Sequence, residues 1–166
     1  MQEMELLGVR VEMPSNAPMV LLRERAGAGR TVQIFIGAAE ATAIALALDG
    51  VDTPRPMTHD LLVDLLEQLD VELSAVLVAE IRDKTFVAEL HLRRQGQGGD
   101  PIVVSARTSD AVAIAVRTGT SIFASEAVID EVGYTDDDEA EDDGPEEVVE
   151  EFKEFLDTIS PEDFED

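Results

Sequence analysis

Hydrophobic and polar residues alternate with a period of two along several short stretches, a pattern that predicts β-strands with one buried face. Two long runs flank the dipeptide Asp83-Lys84, which indicates a tight hairpin turn. A glycine-rich loop, Gly96–Gly99, separates this hairpin from the next run. The predicted strands are Leu6–Glu12, Met19–Arg23, Thr31–Ile36, Val71–Arg82, Thr85–Arg94, Ile102–Ala106 and a short one at Ser121–Ala124.

Other segments carry apolar residues at helical spacing and predict four helices. Ala38–Leu48 and Ser109–Arg117 are rich in alanine, and Glu126–Val132 is short. Thr58 is placed to cap a helix over His59–Leu69. Its leucines fall on one side and are predicted to be its buried stripe: Leu61, Leu62, Leu65, Leu66 and Leu69.

An internal repeat emerges when the chain is shifted by 70 residues. Glu40–Ala45 then aligns with Asp110–Ala115, and each copy follows a predicted strand and ends at a glycine, Gly50 or Gly119. Alanine-rich helices also resemble one another by chance, so the repeat is a hypothesis. It predicts an α+β fold of duplicated strand-helix units, with helices packed on a mostly antiparallel sheet.

Composition narrows the function classes. The chain has no cysteine, which excludes disulfides, thiolate zinc sites and cysteine nucleophiles and fits a reducing compartment. No signal peptide and no apolar run long enough to cross a membrane are visible. We therefore expect a cytoplasmic protein without membrane contact.

Acidic residues are concentrated at the end of the chain. Residues 136–166 hold 17 acids and one base, a net charge of −16, whereas the first 135 residues have a net charge of −9. This shift predicts a domain over residues 1–134 and a tail over 135–166, made of an acidic linker and an amphipathic helix that begins at Pro145. We expect the apolar stripe of that helix to dock on the domain or on a sister subunit of a homo-oligomer. A protein partner is the alternative.

The segment from Pro54 to Leu61 is the strongest candidate for chemistry. Two prolines fix the backbone around Arg55, and Thr58, His59 and Asp60 follow at a predicted helix start, where free N–H groups attract anions. These side chains could bind phosphate and transfer a proton. The plain alternative is a helix cap on a rigid turn.

The repeated helices begin with the acids Glu40 and Asp110. Carboxylates are favoured there by the helix dipole, so a structural role is the simpler explanation. If the two acids converge with Asp60, the three carboxylates would suit Mg²⁺ or Mn²⁺, with Asp60 and Asp110 as metal ligands.

Three motifs together resemble the bifunctional nuclease domain family. They are Ile36-Gly-Ala-Ala-Glu-Ala41, Pro54-Arg-Pro-Met-Thr-His-Asp-Leu61 and Ala106-Arg-Thr-Ser-Asp-Ala111. The resemblance covers roughly Met4–Tyr134, and the acidic tail is similar to the form found in high-GC actinobacteria. Thr108 stands where the family typically has proline.

The resemblance implies a bacterial nuclease that acts on DNA and RNA. If it holds, we expect His59 to act as acid or base, with Glu40, Asp60 and Asp110 as metal-binding or water-positioning carboxylates. Substrate would be bound by Arg55, Thr58, Arg107 and Ser109. Two other functions stay open: a non-enzymatic module that binds proteins through its tail helix, and a sensor that holds an anionic metabolite.

Overall fold

The computed structural model describes residues 1–96 and 101–135. By its internal contacts the chain divides into two units, Met1–Gly133 and Tyr134–Asp166. The acidic linker and tail helix predicted beyond residue 135 lie outside the described residues, as does most of the glycine-rich loop.

The described part contains seven strands and four helices. The strands are β1 (Gln2–Glu12), β2 (Ala17–Glu24), β3 (Thr31–Phe35), β4 (Val71–Arg82), β5 (Thr85–Arg94), β6 (Ile102–Arg107) and β7 (Ile122–Ala124). The helices are α1 (Ala38–Leu48), α2 (Thr58–Gln68), α3 (Thr108–Thr118) and α4 (Glu126–Val132). Most predicted elements are confirmed, several with the same bounds.

The strands form one sheet in the order β3-β2-β1-β7-β4-β5-β6. All neighbours are antiparallel except β4 and β7. The duplication is confirmed: three antiparallel strands and a helix occur twice, and α3 begins and ends 70 residues after α1. The two copies lie on either side of β7, so β3 and β6 are equivalent edge strands.

An aliphatic core lies between this sheet and the helices, with α1 against α3. The alanines of α3 are buried because their small side chains let the helix approach the sheet closely. The largest fully buried side chains are Leu22, Ile44, Ile129, Val20, Val32, Val76, Val78, Val112 and Val128.

Two predictions about helix α2 are wrong. Its packed face is made by His59, Val63 and Leu66, whereas four of the five predicted core leucines are at least 39% exposed: Leu61, Leu62, Leu65 and Leu69. The prediction that the leucine stripe is the buried face of α2 is therefore wrong. The leucine pattern gives no sign that His59 is buried. Thr58 is the first helical residue and not the cap, since Met57 occupies that position.

No helix in the described part of the chain is long and apolar enough to cross a membrane.

Candidate active site

Three helix N-termini supply the candidate site. Glu40 is the third residue of α1, His59 the second residue of α2 and Asp110 the third residue of α3. Arg107 ends β6 and is the N-cap residue of α3. Each acid therefore lies in a first turn, where the N–H groups of the helix stabilise negative charge.

Arg107 joins the two repeats. Its Nε donates to Asp110 Oδ2 at 2.7 Å, and its Nη2 lies 3.0 Å from Asp110 Oδ1 and 2.8 Å from Glu40 Oε1. The hydrogen bonds that Arg107 donates to Asp110, together with the negative charge of Asp110, raise the pKa of Arg107 above its usual value, and Glu40 adds to this effect. Arg107 is therefore the link between Glu40 and Asp110, the two acids that begin the repeated helices.

Gly37 explains why the repeat produces one site instead of two. It occupies in the first repeat the position that Arg107 occupies in the second, 70 residues later. A Cβ atom at Gly37 would collide with the carboxylate of Glu40, so the missing side chain leaves room for Glu40 to face Arg107. Two equivalent acids therefore share one guanidinium.

His59, which is buried, and Asp110, which is partly exposed, form a hydrogen-bonded pair. His59 Nε2 lies 3.0 Å from Asp110 Oδ1, and the histidine side chain is only 9% exposed. Burial raises the pKa of Asp110, but hydrogen bonds from Arg107 and His59 outweigh it and leave the pKa below its ordinary value. An ionised Asp110 accepts a hydrogen bond from Nε2–H, so neutral His59 keeps its basic lone pair on Nδ1.

Asp60 belongs to a different cluster. Its Oδ1 accepts from Arg117 Nε at 2.5 Å, and its Oδ2 accepts from the Met57 backbone N–H at 2.8 Å. The Arg117 hydrogen bond is the main reason that the pKa of Asp60 is lowered, and the Met57 hydrogen bond adds to it.

Arg117 was not among the residues singled out in the sequence. Its side chain is only 10% exposed, and it also donates to the carbonyl oxygens of Ala113 and Ala43. It therefore ties α1, α2 and α3 together. A single arginine near the end of an alanine-rich helix was the available signal, but only its burial shows the role.

The predicted substrate-binding residues differ in how exposed they are. Ser109 is buried beside Asp110, whereas Thr58 and Arg55 are exposed, and Arg55 makes no ion pair within the described residues. Thr108, which stands at the family's proline position, is buried, and its Oγ1 has no hydrogen-bond partner in the described part of the chain.

The carboxylates do not form an evident metal site. Among the described residues, no three histidine, aspartate or glutamate side chains gather in a group that could hold a metal ion. Asp60 is engaged by Arg117, and Asp110 and Glu40 are engaged by Arg107. A cation would have to displace a guanidinium from these carboxylates, so the arrangement does not fit a resident metal.

A cleft of about 400 Å³ opens beside Arg107, and we call it the edge cleft. It is lined by residues of both edge strands, so the sheet curls until its two ends approach. Its lining contains two cations and no carboxylate: Ile34, Phe35, Ile36, Gly37, Lys84, Thr85, Phe86, Arg107, Thr108 and Ser109.

The edge cleft differs in charge from three other clefts on the described surface. Each of those includes carboxylates: Glu67, Asp70 and Glu72 in a cleft of about 660 Å³, Glu3 and Glu5 in one of about 340 Å³, and Asp52 and Asp60 in one of about 230 Å³. In a chain of net charge −25, a cleft whose only charged lining residues within the described part are cations is suited to an anionic ligand.

Comparison with known proteins identifies relatives of two kinds. An uncharacterized protein of Mycobacterium tuberculosis is 45% identical over 168 residues, which cover 99% of this chain and 98% of that protein. Bifunctional nuclease 2 of Arabidopsis thaliana is 27% identical over 107 residues, and bifunctional nuclease 2 of rice (Oryza sativa subsp. japonica) is 25% identical over the same length. Those matches cover 63% of this chain but only about a third of each plant protein.

The bifunctional nuclease domain matches residues 20–137, a range that begins in β2 and includes every residue of the candidate site. The three motifs noted in the sequence all fall inside this range. The chain therefore belongs to the bifunctional nuclease domain family.

Proposed function

We propose that the chain is a nuclease that hydrolyses phosphodiester bonds in DNA or RNA. One observation carries the proposal: the partly buried His59–Asp110 pair is joined through Arg107 to a cleft whose two charged lining residues are both cations. Membership of the bifunctional nuclease domain family supports it, as do the names of the plant relatives.

Arg107 is the proposed phosphate contact. Its side chain is 67% exposed and lines the edge cleft, and its Nη1 makes no hydrogen bond within the described residues. The Asp110 and Glu40 carboxylates hold the other side of the guanidinium, so the planar group is already oriented when a phosphate arrives. Such preorganised donors stabilise the charge that develops in phosphoryl transfer.

His59 is the proposed general base. A water molecule attacks phosphorus and transfers a proton to His59 Nδ1, the phosphorus–oxygen bond to the leaving group breaks, and the leaving oxygen takes up a proton from a solvent water molecule. The imidazolium then returns its proton to solvent. The Asp110 carboxylate, hydrogen-bonded to Nε2, fixes the tautomer and stabilises the imidazolium that forms. Glu40 acts indirectly, because it helps to hold Arg107.

A divalent cation, Mg²⁺ or Mn²⁺, is a separate part of the proposal. It would enter with the substrate phosphate, because the carboxylates present are already paired with arginine. Cleavage measured in EDTA and after addition of each metal tests this part alone. Activity in EDTA equal to that in Mg²⁺ and Mn²⁺ would contradict metal assistance and leave the roles of His59 and Arg107 intact.

The test of function is cleavage of labelled DNA and RNA by the purified chain and matched variants. We expect Arg107→Gln and Asp110→Asn to lower the cleavage rate strongly. Arg94→Gln, which removes an exposed cation at the far end of β5, is the control and should cleave as the wild type does. Equal cleavage by Arg107→Gln and Arg94→Gln would refute the assigned role.

A sensor for a small anion is the second candidate, and one observation favours it. The His59 side chain is almost enclosed, which suits a positioning group better than one that meets a polymer. A sensor would gain thermal stability from inorganic phosphate or a nucleotide and would cleave nothing. Cleavage that is lost in Asp110→Asn would exclude it.

A further inference from the structure

The edge cleft carries an exposed aromatic ring next to its two cations. Phe35, the last residue of β3, is 56% exposed and lies with Lys84 and Arg107 in the lining of the cleft. Single exposed apolar side chains are common on proteins and need no explanation. An exposed ring beside two cations, in a cleft whose lining has no carboxylate, is a less common combination that calls for an explanation.

We infer that the edge cleft binds an unpaired nucleotide and that the substrate class is single-stranded DNA or RNA. Phe35 stacks on the base, while Lys84 and Arg107 contact the adjoining phosphates. Proteins that bind single strands combine an aromatic platform with a basic groove in this way. The inference rests on the proposed nuclease function and names its substrate.

The backbone explains why Phe35 faces the cleft. Val32 and Ile34 are buried in the core, so strand alternation turns Phe35 to the other face. Strand β3 ends at this residue, and α1 begins at Ala38, so no further strand covers the ring. The face of the ring is thus left open at the edge of the sheet.

Lys84 reaches the same cleft from the hairpin of the second repeat, β4–β5. It lies in the two-residue turn between β4 and β5, where Asp83 and Lys84 have φ values of 50° and 62°, as in a type I′ hairpin turn. The ammonium group has no ion-pair partner among the described residues. A tight turn therefore places Lys84 in the lining of the same cleft as Phe35.

The geometry favours a single strand over a duplex. In a duplex each base is stacked and paired inside the helix, so its flat face is not available to Phe35 without unstacking. A cleft of about 400 Å³ falls within the range of pockets that enclose a small molecule, which suits one nucleotide. The strand would then pass Arg107 and present its phosphate to the proposed site.

Binding of a fluorescent twelve-nucleotide oligothymidine to the full chain tests the inference. Its duplex with oligoadenine is the comparison, and a denaturing gel checks that the oligomers stay intact. We expect tighter binding of the single strand, with a loss of about five- to hundredfold in Phe35→Leu and retention in Phe35→Tyr. Thermal unfolding of each variant verifies that it is folded.

Salt dependence tests Lys84 independently. Each phosphate contact with a single strand contributes about 0.7 to the slope of log affinity against log salt. Lys84→Gln should reduce that slope by about 0.7, whereas the control Arg94→Gln should leave it unchanged. The same slope in Lys84→Gln and wild type would show that the lysine contacts no phosphate and would overturn its role.

Cleavage measured in parallel separates the two proposals. If both oligomers bind and are cleaved equally and Phe35→Leu changes neither, the inference is wrong while the nuclease function stands. If the single strand binds as expected but is never cleaved, the nuclease function is wrong and the edge cleft remains a single-strand site. No binding of either oligomer would overturn the inference.

Discussion

Replacing Asp60 by asparagine should destabilise the domain, because Arg117 loses its only carboxylate partner among the described residues. Removing one partner of a buried ion pair costs about 3–5 kcal/mol. The Asp60 side chain is 33% exposed, so solvent screening lowers the figure to about 2 kcal/mol. For a domain of this size we expect a drop in Tm of about 6–8 °C.

The pH dependence of the unfolding free energy provides a second test of the same prediction. The pKa of Asp60 is lower in the folded state, so its stabilising effect is present above the unfolded pKa of about 3.9. This stabilising effect is lost as the pH falls through the pKa that Asp60 has in the folded state. The difference in unfolding free energy between wild type and Asp60→Asn should therefore be full at pH 7 and shrink below about pH 3.9.

Urea denaturation followed by circular dichroism measures this difference, and Asp64→Asn is the matched control. Asp64 lies one turn further along α2, is exposed and makes no ion pair within the described residues. It should be nearly neutral. Equal unfolding free energies for Asp60→Asn and Asp64→Asn would refute the structural role given to Asp60, and its predicted catalytic role would regain support.

Two further predictions concern the neighbourhood of Arg107. Thr108→Val should raise the unfolding free energy by about 1 kcal/mol, because a buried hydroxyl without a partner is removed, and urea denaturation that shows a loss instead would contradict this. Gly37→Ala fits the local backbone, with φ −73° and ψ 154°, but its methyl group collides with the Glu40 carboxylate. We expect slower cleavage by Gly37→Ala at nearly unchanged Tm, and an unchanged cleavage rate would show that Glu40 need not hold Arg107.

The repeat is the part of the fold that the sequence predicted best. A shift of 70 residues aligned Glu40 with Asp110 and led to the correct pair of helices and a mostly antiparallel sheet. Local signals were enough to predict these strands and helices, because strand alternation, alanine content and terminal glycines all act within a few residues. The same shift placed Gly37 opposite Arg107, although the consequence for Glu40 is visible only in three dimensions.

The features that could not be predicted from the sequence depend on contacts between residues far apart in the chain. The leucine stripe of α2 predicts the wrong buried face, because such a stripe is normally buried. In the structure His59 is buried instead, and its polar ring is satisfied by a hydrogen bond to Asp110, 51 residues away. The sequence groups Asp60 with Glu40 and Asp110 because all three acids lie at predicted helix starts, but in the structure its carboxylate accepts a hydrogen bond from Arg117. The edge cleft was not anticipated, since it forms only when the sheet curls and brings Phe35 near Lys84.

The most direct test of the proposed nuclease compares two histidines in one cleavage assay. His91 also pairs with a carboxylate, with Nε2 lying 3.1 Å from Glu89 Oε2, but it lies on β5 apart from the edge cleft. We expect His59→Asn to lower the cleavage rate about 100- to 10,000-fold, as loss of a general base does, and His91→Asn to have no effect. Equal rates for two folded variants would contradict the catalytic role of His59.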